Sequence, residues 1–215
     1  MDKQIPQEKG IDGIDFKKEI KKEIEDLFIK RYKKLGGKIS GLTESFSIDL
    51  KTLNDLLSNN KSKPFCKFYY IQKDSSLNLA LSFSDNQECE IKSSDALYTL
   101  EGELLKEKDL IDMINSFKKG IGSKLVSQTG MEDILISYSL VEINDFIKKM
   151  KESHPTIFAL KFNMLQYRST NLNGEILADF EKRNDRISFC VHALFNKDIN
   201  PAEESAGYDL GNLRP

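Results

Sequence analysis

The sequence predicts an α+β protein, mostly antiparallel sheet with amphipathic helices, in two related helix–strand–strand halves. Three observations carry that reading. Residues 45–57 (SFSIDLKTLNDLL) and 137–147 (SYSLVEINDFI) open alike, on Ser–aromatic–Ser–aliphatic, and run into similar amphipathic segments. An apolar, strand-like run follows each, at 64–72 and 155–167. A second such run closes each half, at 77–83 and 186–195. Helix-then-hairpin order of this kind belongs to α+β folds.

Residues 1–14 are polar and aperiodic and read as a flexible tail. Asp15 can cap a helix reaching Leu35. Phe16, Ile20, Ile24, Leu27, Phe28, Ile29, Tyr32 and Leu35 recur mostly along one face, with Lys and Glu opposite. Gly36-Gly37 suits its end. Ser47 or Asp49 caps a short helix with Leu50, Leu53, Leu56 and Leu57 inward. Phe65–Gln72 and Leu77–Ser84 form a hairpin across KDSS. Leu77, Leu79, Leu81 and Phe83 alternate with small or polar residues, which marks one buried face.

Leu104, Leu105, Leu110, Ile111, Ile114 and Phe117 make a helical stripe that Gly120 stops. Residues 120–130, with three glycines, read as a hinge between a first half (15–119) and a second half (131–200). Gly120-Ile121-Gly122 lacks the G-K-[ST] ending and the preceding strand of a phosphate loop. Asp133–Tyr138 is a strand. Ser139 and Glu142 have capping-box spacing, opening a helix with Leu140, Ile143, Phe146, Ile147 and Met150 inward. His154-Pro155 ends that helix. Phe158, Leu160, Phe162 and Met164 share one face of the next strand. Glu175–Phe180 and Arg186–Phe195 are expected to pair across KRND, and 201–215 reads as an extended tail.

Composition narrows the function classes. The 215 residues are 39% hydrophobic, with 13 Phe and 7 Tyr, enough for a packed core. Charged residues make up 31%, with a net charge of −2. That balance argues against nucleic acid, whose binders carry a basic stripe. Lysine outnumbers arginine 27 to 5, which suits solvated surface better than bidentate anion recognition. No run has the roughly 18 apolar residues of a membrane span. The first residues lack the apolar core of a signal peptide. Cys66, Cys89 and Cys190 are too widely spaced for a disulfide framework, so the expected setting is a reduced cytoplasm.

The arrangement resembles an uncharacterised family of small bacterial proteins that pair two kinds of aromatic and aliphatic strand and end in Tyr-Asp-x-Gly-x-Leu-Cys-Pro-Pro. Lys67–Ile71 and Leu160–Phe162 match the first kind of strand, and Leu79–Leu81 and Phe189–Val191 the second. Tyr208–Leu213 matches the tail, with Arg214 in place of the cysteine. The likeness spans about residues 16–215 and implies no activity.

Cys190 and His192 form the one Cys/His cluster, on a strand face shared with Ser188. They suit a nucleophile pair or two metal ligands. The plainer reading is a half-exposed strand face, because no further ligand stands at motif spacing. His154 reads as a helix C-terminal histidine favoured by the dipole. Arg183, Asp185 and Arg186 read as a solvated turn rather than an anion site. In the tail, Tyr208, Leu210 and Leu213 are apolar anchors, docked on this chain or on a partner. The expectation is therefore a non-catalytic interaction or scaffold protein. It engages another protein or self-associates, without cofactor, metal, nucleic acid or membrane. The alternative is a small enzyme or metal-dependent binder using Cys190 and His192.

Overall fold

The structure, a computed structural model, describes residues 19–199, 201–209 and 212–214. Asp15 and Phe16 lie outside these residues, as does Leu210. The fold is α+β with antiparallel sheets. The first helix is seen as Lys22–Gly36 (α1), with Phe28, Tyr32 and Leu35 buried as its periodicity predicts.

Both Ser–aromatic–Ser segments are strands, Ser45–Asp49 (β1) and Leu135–Ser139 (β5). Of the two caps the sequence offers, Ser47 and Asp49, the structure uses Asp49, and the helix begins at Leu50. Asp49 ends the strand and caps the helix Leu50–Asn59 (α2), accepting from the backbone N–H of Lys51 at 2.8 Å and Thr52 at 3.3 Å. In the second half Ser139 and Glu142 make both bonds of the capping box on Leu140–Ser153 (α5). Each helix leads into two strands. These are Phe65–Lys73 (β2) and Ser76–Ser84 (β3) in the first half, and Ala159–Gln166 (β6) and Ile187–Phe195 (β7) in the second.

The pairing crosses between the halves. β1 runs antiparallel to β6, and β5 antiparallel to β2. One sheet runs in the order β10 (Asn212–Arg214), β5, β2, β3, β4 (Ala96–Thr99). The other runs β1, β6, β7, β8 (Glu203–Glu204), with β9 (Tyr208–Asp209) also on β7. Their inner faces meet through aromatic rings. Phe68 of β2 lies 5.3 Å from Phe162 of β6 and 5.5 Å from Phe189 of β7. The outer faces are covered too: α1 packs on β6, and Glu107–Phe117 (α3) packs on β2. Hence Ala80 and Ser82 are buried along with the predicted face of β3.

Three local expectations are corrected. Residues 120–130 are not a hinge loop: a π-helical turn, Lys118–Gly122, carries α3 into a further helix, Ser123–Thr129 (α4). The turn is stable because Ile121 N–H donates to the Gln72 side chain at 2.9 Å. Leu104 is exposed because it precedes α3, and Ile111 is on the helix's outer side. Residues 175–180 form no strand. Ala178–Arg183 is a 3-10 turn, and β7 pairs with β6 instead. Phe180 is committed to Phe28 and Tyr167, at 5.0 and 5.7 Å between ring centres.

The segment leading into β1 is pinned where Leu77 N–H donates to Gly41 O at 2.8 Å. Gly41 has φ +87°, and a Cβ there would lie 2.2 Å from the Ser75 carbonyl oxygen. Strain in that region alone costs about 1–3 kcal/mol, and the clash is with backbone. Gly41→Ala should lose at least that much in urea denaturation; an unchanged midpoint would show that the turn yields freely.

Candidate functional site

β7 places Ser188, Cys190 and His192 on one face, and α1 covers that face. The half-exposed strand face expected from the sequence is corrected: Cys190 is 0% and His192 2% exposed. Glu25 of α1, 1% exposed, reaches the same point. Its Oε1 is 2.7 Å from His192 Nε2, and the Cys190 thiol donates to it at 3.5 Å. Cys190 Sγ is also 3.5 Å from His192 Nε2 and 3.6 Å from the Asn163 carbonyl.

The tail completes the surroundings. His192 Nδ1 faces the Ser205 carbonyl at 2.8 Å. A carbonyl only accepts, so Nδ1 carries the hydrogen and Nε2 is turned to Glu25. Ser205 is fixed in turn by exchange with Ala193: Ser205 N–H donates to Ala193 O, and Ala193 N–H to Ser205 Oγ, both at 2.9 Å. Gly207 closes the flank with no side chain. A Cβ there would come 2.9 Å from Glu25 Oε2 and 3.0 Å from His192 Nε2.

Burial works against the Glu25 carboxylate. The hydrogen bond and charge of His192 oppose it, with help from Lys22 and Cys190, and hold the group below the ordinary carboxylate range. Among the described residues, Glu25, Cys190 and His192 are the one group of three metal-ligand types whose donor atoms lie within 4.8 Å of one another. A carboxylate thus meets Cys190 and His192 in space, although none stands at motif spacing in the sequence.

Comparison with protein-family models, curated proteins and solved structures returns no match. The site must be read from its own geometry.

Sequence reasoning missed Glu25, which is 165 residues from Cys190. A signal was present: Glu25 stands three residues before Phe28 and seven before Tyr32, on the apolar stripe. His154 does not join the cluster. It caps α5 and stacks on Phe195 at 4.2 Å. The solvated turn at 183–186 is corrected as well. Arg183 is 1% exposed and donates to Tyr167 Oη at 3.0 Å. Arg186 pairs with Asp133 at 2.6 Å, and Arg31 with Asp185 at 2.6 Å.

The tail folds back on its own chain. Tyr208 is buried, its ring edge-on to Phe146 at 5.2 Å and beneath the Lys149 ammonium at 4.7 Å. Of the two docking places expected for it, this chain or a partner, Tyr208 takes the one on this chain and joins the core. The backbone at Leu213 pairs opposite Ile136.

A separate cleft of about 680 Å³ lies between α1 and residues 171–180. Its walls include Ile20, Ile24 and Leu27 on one side and Leu172, Ile176 and Phe180 on the other. Leu172 is 76% and Ile176 70% exposed. Among the described residues no helix is long and apolar enough to cross a membrane.

Proposed function

We propose that this protein works by binding another protein rather than by catalysis, and that the cleft between α1 and residues 171–180 receives the partner. The observation that carries this reading is the pair Leu172 and Ile176, two large apolar side chains held in the open across from an apolar helix face. Exposed apolar surface at a concave site marks a place for a ligand. The loop that presents them is braced. Asn171 Oδ1 accepts from the N–H of Asn173 at 2.9 Å and of Glu175 at 3.0 Å. Such bracing lowers the ordering cost of binding.

Charge narrows the partner. Glu19, Glu23, Glu175 and Asp179 line the cleft against a single lysine, Lys21. An extended segment with apolar anchors flanked by Lys or Arg complements that surface. A cytoplasmic setting agrees with three cysteines that form no disulfide. The tail supports this surface indirectly, because Gly207, just before β9, accepts from the N–H of Ile20, just ahead of α1, at 2.8 Å.

A random peptide library selected on the wild-type protein tests the proposal. The expected result is enrichment of apolar peptides flanked by Lys or Arg, with affinity at least tenfold weaker for Leu172→Asp/Ile176→Asp. Both positions are exposed, so the double variant should melt where wild type does. Peptides that bind the double variant equally well, or a selection that enriches nothing, would sink the reading. Loss of a wild-type dimer in the double variant would identify a second copy as the occupant and overturn the foreign partner.

A further inference from the structure

We propose that Glu25, Cys190 and His192 form a binding site for a divalent, zinc-like cation, with Glu25 Oε1, Cys190 Sγ and His192 Nε2 as the ligand atoms. This site is separate from the proposed docking cleft, and its test does not depend on that reading.

The donor set is of the right chemistry, since zinc takes thiolate, imidazole and carboxylate ligands. The spacing is close to what the ion requires. A tetrahedral zinc with Zn–N and Zn–O of about 2.0 Å and Zn–S of about 2.3 Å sets S–N and S–O separations of about 3.5 Å and an N–O separation of about 3.3 Å. Here Sγ is 3.5 Å from Nε2 and 3.5 Å from Oε1. Only the third edge, the 2.7 Å Nε2–Oε1 contact, must widen. That edge is a hydrogen bond, and it is the proton on it that an ion would replace.

The surroundings of His192 fit the same role. A ligating histidine generally donates its other ring N–H to a carbonyl or carboxylate, which fixes its tautomer and orientation. The His192 Nδ1 to Ser205 O bond at 2.8 Å does so here. Ser205 is itself locked to Ala193 of β7 by two bonds. Gly207 keeps a side chain away from the flank where Glu25 and His192 meet.

Charge favours a divalent ion. A carboxylate and a thiolate bring two negative charges to the ion, and a divalent cation balances them inside a buried site.

Cobalt(II) titration of the untagged, chelator-stripped full chain tests the assignment. The expected result is a thiolate-to-cobalt charge-transfer band that saturates at one equivalent and is bleached by zinc. Zinc binding should release protons and raise the melting temperature. Cys190→Ser, a near-isosteric change, should lose the band and the zinc-dependent shift while melting near metal-free wild type. Cys66→Ser and Cys89→Ser should keep both. Glu25→Gln should weaken the metal at least tenfold. A wild type with no band and no zinc-dependent shift would overturn the proposal, leaving the cluster a hydrogen-bonded clip between α1 and β7. A band that survives Cys190→Ser would overturn it equally, by moving the ion to another thiol.

Discussion

Replacing Phe162 by alanine is expected to destabilise the protein by about 3–5 kcal/mol, the range for removing a buried phenylalanine. Phe162 is 2% exposed and stands where the two sheets meet. Its ring is 5.0 Å from Phe189 on its own sheet and 5.3 Å from Phe68 on the other. Phe68 in turn is edge-on to Tyr138 of β5 at 5.5 Å. Alanine would open a cavity among rings contributed by three other strands, none of which can shift without disturbing its sheet. Chemical denaturation reads the loss; a change under about 1 kcal/mol would mean that the neighbouring rings collapse into the space.

Lys67→Met is expected to cost a similar amount for a different reason. Lys67 leaves β2 on the outer face and ends fully buried. Its ammonium donates to the carbonyls of Glu88 at 3.0 Å and Glu90 at 2.9 Å, and faces Asp95 at 3.5 Å. It thereby ties residues 86–95 across the sheet. Methionine fills the volume but takes the cation from the Asp95 carboxylate, which retains the Lys92 N–H at 3.1 Å, and a donor from two carbonyls. Removing one partner of a buried pair costs about 3–5 kcal/mol.

The Lys67 penalty should also depend on pH, with a definite sign. Burial is the largest influence on Lys67 and pushes its pKa down, and Asp95 offsets this only in part. Between that lowered value and the ordinary lysine value of about 10.4, the unfolded chain holds a proton that the folded chain has released. Wild-type stability therefore gains from Lys67 as pH rises through this window. The gap between wild type and Lys67→Met should widen toward alkaline pH. A gap that stays flat or narrows would show that Lys67 is solvated in the folded protein.

What could be read in the sequence was local. The Ser139–Glu142 box, the alternation of Leu77 to Phe83 and the shared face of Cys190 and His192 each depend on spacings of a few residues, and each is present in the fold. What could not be read was set by long-range covering. Cys190 and His192 looked half exposed because strand alternation cannot tell that α1 lies over them. Arg183 and Arg186 looked solvated because their partners, Tyr167 and Asp133, come from other strands and loops. The glycines at 120 and 122 looked like a hinge because the Gln72 side chain that steadies the π turn comes from 49 residues away. Glu25 was hidden by its type: a glutamate on an apolar stripe reads as a stray surface charge until the histidine opposite it is seen.

The exchange of leading strands between the halves has a consequence for how the protein must be made. β2 and β3 can pair as soon as they leave the ribosome, but the β2 edge stays open until residue 139 has been synthesised. β1 waits still longer, for β6. Such non-local closure slows folding, and an unpaired edge invites association with other chains while it lasts. Neither half holds a complete sheet of its own, so a chain cut between them should yield fragments that fold only together. Each half lends the other a strand: β1 lies along β6, and β5 along β2.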